Sequence, residues 1–366
     1  MKNVLREREN HHREAPAELE RRNLSDADAV AVRDIAAEIA VTIEDMAGTR
    51  ERTAATLTDP HLIGLVDAHV RAVPERVRAA LRPPATATGV AIIDRLPLRD
   101  AELGPTPRDW RQAAAWSGDA HRGRASFRLD LTMLLLARCA GAPFGWQGQQ
   151  SGRLVNNIVP SPGHEHEQSG ASSVTLLAPH TEDAFHPERA HLLLLGCLRN
   201  PALVGTTVSS VCEARLSPEH RRRLAAAALP ILPDVSYGDG FGDHPTPPIA
   251  TLAAGPTLRY DPAYTPVQRA DAEFRDAYTQ LSTELERVAR VAVLEPGQLL
   301  LVDNDVVVHG RVPFAPRYDG TDRWLKRVNI RLPQRHRAES GESGYGQRTV
   351  APFRTEVPAP HAVPIQ

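Results

Sequence analysis

The stretch LLAPHTEDAFH (Leu176 to His186) gathers two histidines, a glutamate and an aspartate around one threonine. Imidazole nitrogens and carboxylate oxygens are the usual donors of metal sites and of acid–base pairs. On a strand, residues i and i+2 point to the same side, so His180 and Glu182 can serve one ion from a single edge. A third donor is available in His309, which closes the apolar run LLLVDNDVVVH and precedes Gly310. Two imidazoles and one carboxylate on one face of an octahedron leave three positions open, which suits non-haem Fe(II) with a chelating co-substrate and dioxygen. A zinc hydrolase can use the same three ligands, and an HxE pair alone arises by chance in many chains.

Other histidines compete for attention. GHEHEQSG holds His164, Glu165, His166 and Glu167 between Pro162-Gly163 and Ser169-Gly170, with no apolar strand to hold it rigid, and reads as a loop or lid. His186 and His191 have no carboxylate at the right alternation, so structural roles are expected for both.

The metal donors need a frame of strands. From about residue 150 the chain breaks into short β-rich runs separated by Gly and Pro, among them SSVTLLAPH, AHLLLLGCLRNP, VGTTVSSV and RWLKRVNIRLP, which predicts a sandwich or small barrel. Ahead of them, Val32, Ile35, Ile39, Ile43 and Met46 recur at helical spacing behind Ser25 or Asp26, and residues 123–140 also read as helical. GVAIIDRLPL reads as a buried strand between these helices. Ser217-Pro218 should start a helix. Phe274, Tyr278, Leu281, Leu285 and Val288 mark one face of another. The expected organisation is a flexible N-terminus over residues 1–25, one catalytic domain over 26–335, and an extended tail over 336–366.

The totals narrow the function classes. The chain has 366 residues, 42% hydrophobic and 24% charged, enough apolar material for a large core. A formal net charge of -2 gives no footprint for nucleic acid or an anionic membrane. Cys139, Cys197 and Cys212 form no CxxC pair, which fits a reducing cytoplasm, and no apolar run suggests a signal peptide or a membrane span. Nothing in the sequence specifies an oligomer.

HTEDAFHPERAHLLLLGCLRNP followed by VDNDVVVHGRVPFAPRYDGTDRWLKRV closely resembles the clavaminate synthase-like branch of the Fe(II)/2-oxoglutarate oxygenases, from about Gly148 to Arg331. That branch includes free amino acid β-hydroxylases of peptide antibiotic pathways acting on arginine or asparagine. The resemblance implies an α+β protein with a double-stranded β-helix (jelly-roll) core and flanking helices. It also implies Fe(II), 2-oxoglutarate and O2 as the reacting set, with His180, Glu182 and His309 as the metal ligands.

Further roles follow from the same resemblance, position by position. Arg323, fourteen residues after His309, matches the arginine that grips the distal carboxylate of 2-oxoglutarate. A threonine hydroxyl is expected beside it, with Thr207 favoured over Thr206. Arg327 matches the arginine for the amino acid's α-carboxylate, and Gln149 or Gln150 the glutamine near its α-amino group, with Glu182 assisting. Asp183 is expected to orient the chain. Asp261 stands where the family's lid offers an acid to the side-chain tip. A second acid two residues later is replaced by Ala263, and Asp239 or Asp243 could substitute. Related halogenases carry a small residue in place of the ligating carboxylate, so Glu182 argues for hydroxylation.

The expected activity is hydroxylation of a free L-amino acid in specialised metabolite biosynthesis, with arginine or a similar basic residue oxidised at C3 or C4. Lysine, asparagine and a modified or tethered amino acid are alternative substrates. A non-catalytic metal-binding jelly-roll protein is the rival from another class.

Overall fold

The computed structural model describes residues 18–45, 57–96, 98, 103–116, 124–233, 247–253, 255, 257–337 and 347–354. The first half runs β1 (Glu20–Asn23), α1 (Asp26–Asp45), α2 (Pro60–His69), α3 (Glu75–Ala80), β2 (Val90–Asp94), α4 (Trp110–Trp116), α5 (Arg124–Ala140), β3 (Ala142–Trp146) and β4 (Asn156–Ile158). The second opens with β5 (Leu177–His180), β6 (Leu192–Arg199), β7 (Gly205–Ser210), α6 (Pro218–Leu224), β8 (Ala227–Leu229), β9 (Ile249–Ala250), β10 (Leu252–Ala253) and β11 (Thr257–Leu258). It closes with α7 (Ala272–Arg287), β12 (Arg290–Val293), β13 (Leu299–Asp303), β14 (Val307–Arg311), β15 (Trp324–Arg331) and β16 (Thr349–Val350).

Two sheets face each other as a jelly roll. The larger has the order β1-β2-β13-β6-β15-β3-β16, with β4 also on β15, and the smaller the order β12-β7-β14-β5. Alternation along β6 explains why its sequence is apolar throughout. Leu193 and Leu195 point between the sheets with Ile92, Leu300 and Val302, meeting Val208, Ala292 and Val307 of the smaller sheet. Leu192 and Leu194 point the other way, into a layer with Val32 and Ile39 of α1, Val66 of α2 and Leu131 and Leu134 of α5. The helical front end therefore covers the outer face of the larger sheet.

Local signals agree with this frame. Ser217 caps α6 by accepting from the His220 amide at 3.0 Å, and Asp271 caps α7 by accepting from the Phe274 amide at 2.7 Å. Phe274, Tyr278, Leu281 and Leu285 of α7 pack with Val308 on the outer face of the smaller sheet. One boundary differs from expectation. Glu20–Asn23 lies inside the stretch expected to be flexible, yet it forms β1, hydrogen-bonded in parallel register to β2. The tail expected to be extended returns as β16 on β3, and Arg337 binds Asp305. No helix among the described residues is long and apolar enough to cross a membrane.

The face of β15 that turns away from the sandwich carries a buried charge cluster. Lys326 Nζ lies 2.5 Å from Asp130 Oδ1 of α5, and Arg153 Nη2 lies 2.7 Å from Asp130 Oδ2. Burial lowers the pKa of Lys326, and the Asp130 carboxylate opposes that effect. Removing that carboxylate strands two buried cations, so Asp130→Ala should cost about 3–5 kcal/mol of stability. Urea unfolding measures it, and a loss below about 1 kcal/mol would show that water already compensates the cluster.

Candidate metal centre and co-substrate pocket

β14 lies between β5 and β7. His309 pairs directly opposite His180 of β5 and opposite Val208 of β7. Directly opposed residues share a face, so the two imidazoles meet, with ring centroids 4.5 Å apart. A register shift follows His309, and a Cβ on Gly310 would lie 2.5 Å from the Leu177 carbonyl oxygen. Glycine is what lets the strands approach here.

Glu182 arrives differently from expectation. β5 ends at His180, and Glu182 sits in the turn that follows. Strand alternation therefore does not place its carboxylate. Even so, Glu182 Oε2 lies 3.2 Å from His309 Nε2 and 3.8 Å from His180 Nε2. One donor atom from each of the three residues falls within 4.8 Å of the others, and no other such cluster occurs among the described residues. His180 Nδ1 is 2.9 Å from the Ala178 carbonyl oxygen, which fixes the tautomer that leaves Nε2 free for a metal. A buried N2O donor set with open space beside it suits a divalent transition metal.

The charges are set by neighbours. Burial would raise the Glu182 carboxyl, but Arg327, His180 and His309 hold it well below the usual carboxylate range. Burial opposes charging His180 too, yet Glu182 and Asp261 hold its imidazolium up to about 9. Burial and the neighbouring His180 lower His309.

The triad opens into a cavity of about 350 Å³ whose lining includes Thr206, Arg323, Arg327, Gln149 and Glu167. Arg323 is 7% exposed and donates from Nη2 to Thr206 Oγ1 at 3.1 Å. It has no carboxylate partner among the described residues, and its Nε finds no acceptor. Burial pushes this guanidinium down to about 10. An uncompensated buried cation is costly, and a dicarboxylate reaching from the metal would supply its missing charge. The residues present thus fit both an iron ion and 2-oxoglutarate.

Thr206, not Thr207, is the hydroxyl beside Arg323. Thr206 pairs with Arg311 in the β7–β14 ladder, two positions from His309 and on its face, whereas Thr207 pairs with Gly310 on the opposite face. Both glutamines line the cavity. Gln149 Oε1 accepts from Arg327 Nη2 at 3.0 Å, while the Gln150 amide is spent on the Asn157 main chain, accepting its N–H at 3.0 Å and donating to its carbonyl at 2.8 Å. Arg327 also contacts Glu182 Oε1. Asp261 does not line the cavity. Its Oδ1 accepts from the Ala263 and Tyr264 amides, although its charge reaches His180.

The remaining polar residues have traceable tasks. Asp183 accepts from the Trp146 indole at 2.7 Å. His186 accepts from the Glu188 amide, and His191, pushed down to about 3 by burial, accepts from the Leu332 amide. The 163–170 segment is a loop that borders the cavity, with His164 Nδ1 2.8 Å from Glu167 Oε1. Trp110 and Arg111 border the same cavity, and no sequence motif marked them. Asp239 and Asp243 lie outside the described residues.

Comparison with known proteins follows these lines. Residues 140–329 match the family described as "Taurine catabolism dioxygenase TauD, TfdA family". The enduracididine beta-hydroxylase of Streptomyces hygroscopicus is 36% identical over 286 residues, 70% of this chain and 82% of that protein. The L-ornithine/L-arginine 3-hydroxylase of Catenulispora acidiphila is 31% identical over 297 residues, 74% and 81% of the two chains. Among solved structures, the non-heme iron oxygenase OrfP with Fe, succinate and (3S)-hydroxy-L-Arg superposes with a TM-score of 0.72 at 34% identity, covering 85% of this chain and 94% of that one. OrfP with Fe and alpha-ketoglutaric acid gives 0.70 at 34% identity, with 85% and 93% covered.

Two outcomes are expected. His180 carries a proton in the metal-free protein below about pH 9, and metal binding must release it. Apparent Co(II) affinity should therefore rise by about tenfold per pH unit between pH 6 and 8, with close to one proton released per ion; titration in buffers of different ionisation enthalpy reads both. A flat profile would mean that His180 is neutral before the metal arrives. Thr206→Val should weaken 2-oxoglutarate binding by about three- to tenfold, the worth of one hydrogen bond, while Thr207→Val leaves it unchanged. Equilibrium dialysis with labelled 2-oxoglutarate distinguishes them, and equal effects would contradict the strand register.

Proposed function

This chain belongs to the TauD/TfdA dioxygenase family, and from that premise we propose that it hydroxylates a free L-amino acid with a basic side chain, arginine or a close analogue, at C3 or C4. It is a non-haem Fe(II)/2-oxoglutarate-dependent dioxygenase. The observation that carries the co-substrate reading is Arg323, a buried guanidinium without a counter-ion among the described residues, in the same cavity as the two histidines and the glutamate.

When bound, iron with 2-oxoglutarate and O2 supplies one oxygen atom to a C–H bond, as 2-oxoglutarate departs as succinate and CO2. The protein's residues hold and orient. His180, Glu182 and His309 would hold the metal, and Arg323 with Thr206 would grip the distal carboxylate of 2-oxoglutarate through charge-assisted hydrogen bonds. Arg327 and Gln149 form a neighbouring set that can take an amino acid's α-carboxylate and α-ammonium, and Glu182 Oε1 adds an acceptor. Fixing both ends of a small substrate presents one C–H to the metal, and that positioning is what the protein adds to the chemistry.

For the side-chain tip, the described acid that borders the cavity besides Glu182 is Glu167, beside His164. A carboxylate there supports a guanidinium or ammonium tip. The comparisons agree in kind, since the relatives named above act on enduracididine, ornithine and arginine. Specialised metabolism is the setting we propose. We also place the reaction in the cytoplasm, which the three unpaired thiols support, and with a small-molecule partner, since a net charge of -2 offers polyanions little attraction.

The deciding assay is aerobic turnover with Fe(II), ascorbate and 2-oxoglutarate against a panel of free amino acids, following succinate and product mass together. Arginine or a close analogue should gain one oxygen per succinate formed. Preferred oxidation of asparagine or another neutral residue would overturn the basic-substrate reading. Uptake of 2-oxoglutarate with no free amino acid oxidised would point to a tethered or modified substrate instead.

A further inference from the structure

Glu182 lies beyond the end of β5, so no strand ladder holds its main chain. The residue after it, Asp183, has φ 53°, a left-handed conformation that a non-glycine residue keeps only when its surroundings impose it. Yet the carboxylate of Glu182 must stand within bonding reach of one ion shared with two histidines. Some group has to fix this turn.

That group is the side chain of Asn304. It is fully buried at 0% exposure in the turn between β13 and β14, five residues before His309. Its Oδ1 accepts the Glu182 amide N–H at 2.9 Å, and its Nδ2 donates to the Glu182 carbonyl at 3.1 Å and to the Ala190 carbonyl at 3.0 Å. The primary amide thus acts as a peptide partner that the missing strand does not supply, satisfying donor and acceptor of one residue at once. Its own turn is pinned from both sides. Asp303 accepts from Arg335 at 2.6 Å, and Asp305 accepts from Arg337 at 2.7 Å, both arginines reaching in from beyond β15. Asn304 N–H also donates to the His191 carbonyl at 2.9 Å.

We propose that Asn304 is a positioning residue for the metal centre: it holds the Glu182 main chain so that the carboxylate is aimed before any metal binds. The inference rests on His180, Glu182 and His309 being the metal ligands. Because the turn leads directly into β14, the same few residues set Glu182 and His309 relative to each other.

A natural control exists within the fold. Asn200 is also buried and makes the same three kinds of bond, accepting the Val204 amide at 2.9 Å and donating to the Val204 and Leu294 carbonyls at 3.1 and 2.9 Å, in the β6–β7 turn. The experiment compares Asn304→Ala, Asn200→Ala and wild type as full-length metal-free proteins, measuring thermal midpoint and Co(II) binding through the ligand-field spectrum. Both variants should lose stability. Only Asn304→Ala should lose Co(II) affinity, by about ten- to a hundredfold, as is typical when a group that orients a metal ligand is removed.

Equal Co(II) affinity in Asn304→Ala and wild type, with only the midpoint lowered, would overturn the inference and leave the metal site standing. Wild type that fails to bind Co(II) would overturn both. Should Asn304→Ala not fold, amide exchange in metal-free wild type decides: the Glu182 N–H should be protected like the β6 amides, and fast exchange there would refute a clamp formed before the metal.

Discussion

The position of β14 between β5 and β7 is the constraint from which the rest of the centre follows. A five-residue strand that pairs on both edges has almost no freedom in register. His309 is opposite His180 on one side, and Arg311 is opposite Thr206 on the other. A slip of one residue would turn His309 out of the sandwich and away from His180. The two apolar layers resist such a slip, because Val307 of β14 packs between the sheets while Val308 packs against α7 on the outer face. The core thus transmits a register, and the register sets the distances between donor atoms.

Electrostatics divides the cavity into two ends. Near the triad, Glu182 stays ionised because Arg327 and two imidazoles surround it. Arg323 is different, since among the described residues it is buried with one hydroxyl and no anion, and Arg311 close by makes its charge harder to hold. A folded protein keeps such a group when something outside the chain supplies the missing charge. The dicarboxylate reading follows from that imbalance, and the span from Arg323 to the triad across one cavity is what lets a single molecule serve both.

The three metal donors could be proposed from their types and from the apolar run that carries His309, whereas Arg323 and Arg327 were singled out only through the family resemblance. Helices were legible for ordinary reasons: Ser217 and Asp271 cap, and α7 shows its face in Phe274, Tyr278, Leu281 and Leu285. Four matters were not. Thr206 against Thr207 depends on which residue of β14 each one faces, a pairing that no single strand encodes. The HxE spacing at His180 and Glu182 reads as strand alternation, and the sequence does not show that the strand ends at His180. Trp110, Arg111 and Asn304 meet their partners through long-range contacts that no local pattern encodes. β1 was missed because ERRN has no apolar pattern; its partner β2, buried within the sheet, supplies the hydrophobic side of the pair.

The central claim is that one 2-oxoglutarate bridges the triad and Arg323. Anaerobic absorption spectroscopy of the protein with Fe(II) tests it directly as 2-oxoglutarate is added. A lilac charge-transfer band should appear only with both present, saturate at one 2-oxoglutarate per chain, and require at least about tenfold more 2-oxoglutarate in Arg323→Leu. Absence of the band in wild type, or an unchanged 2-oxoglutarate demand in Arg323→Leu, would contradict the account.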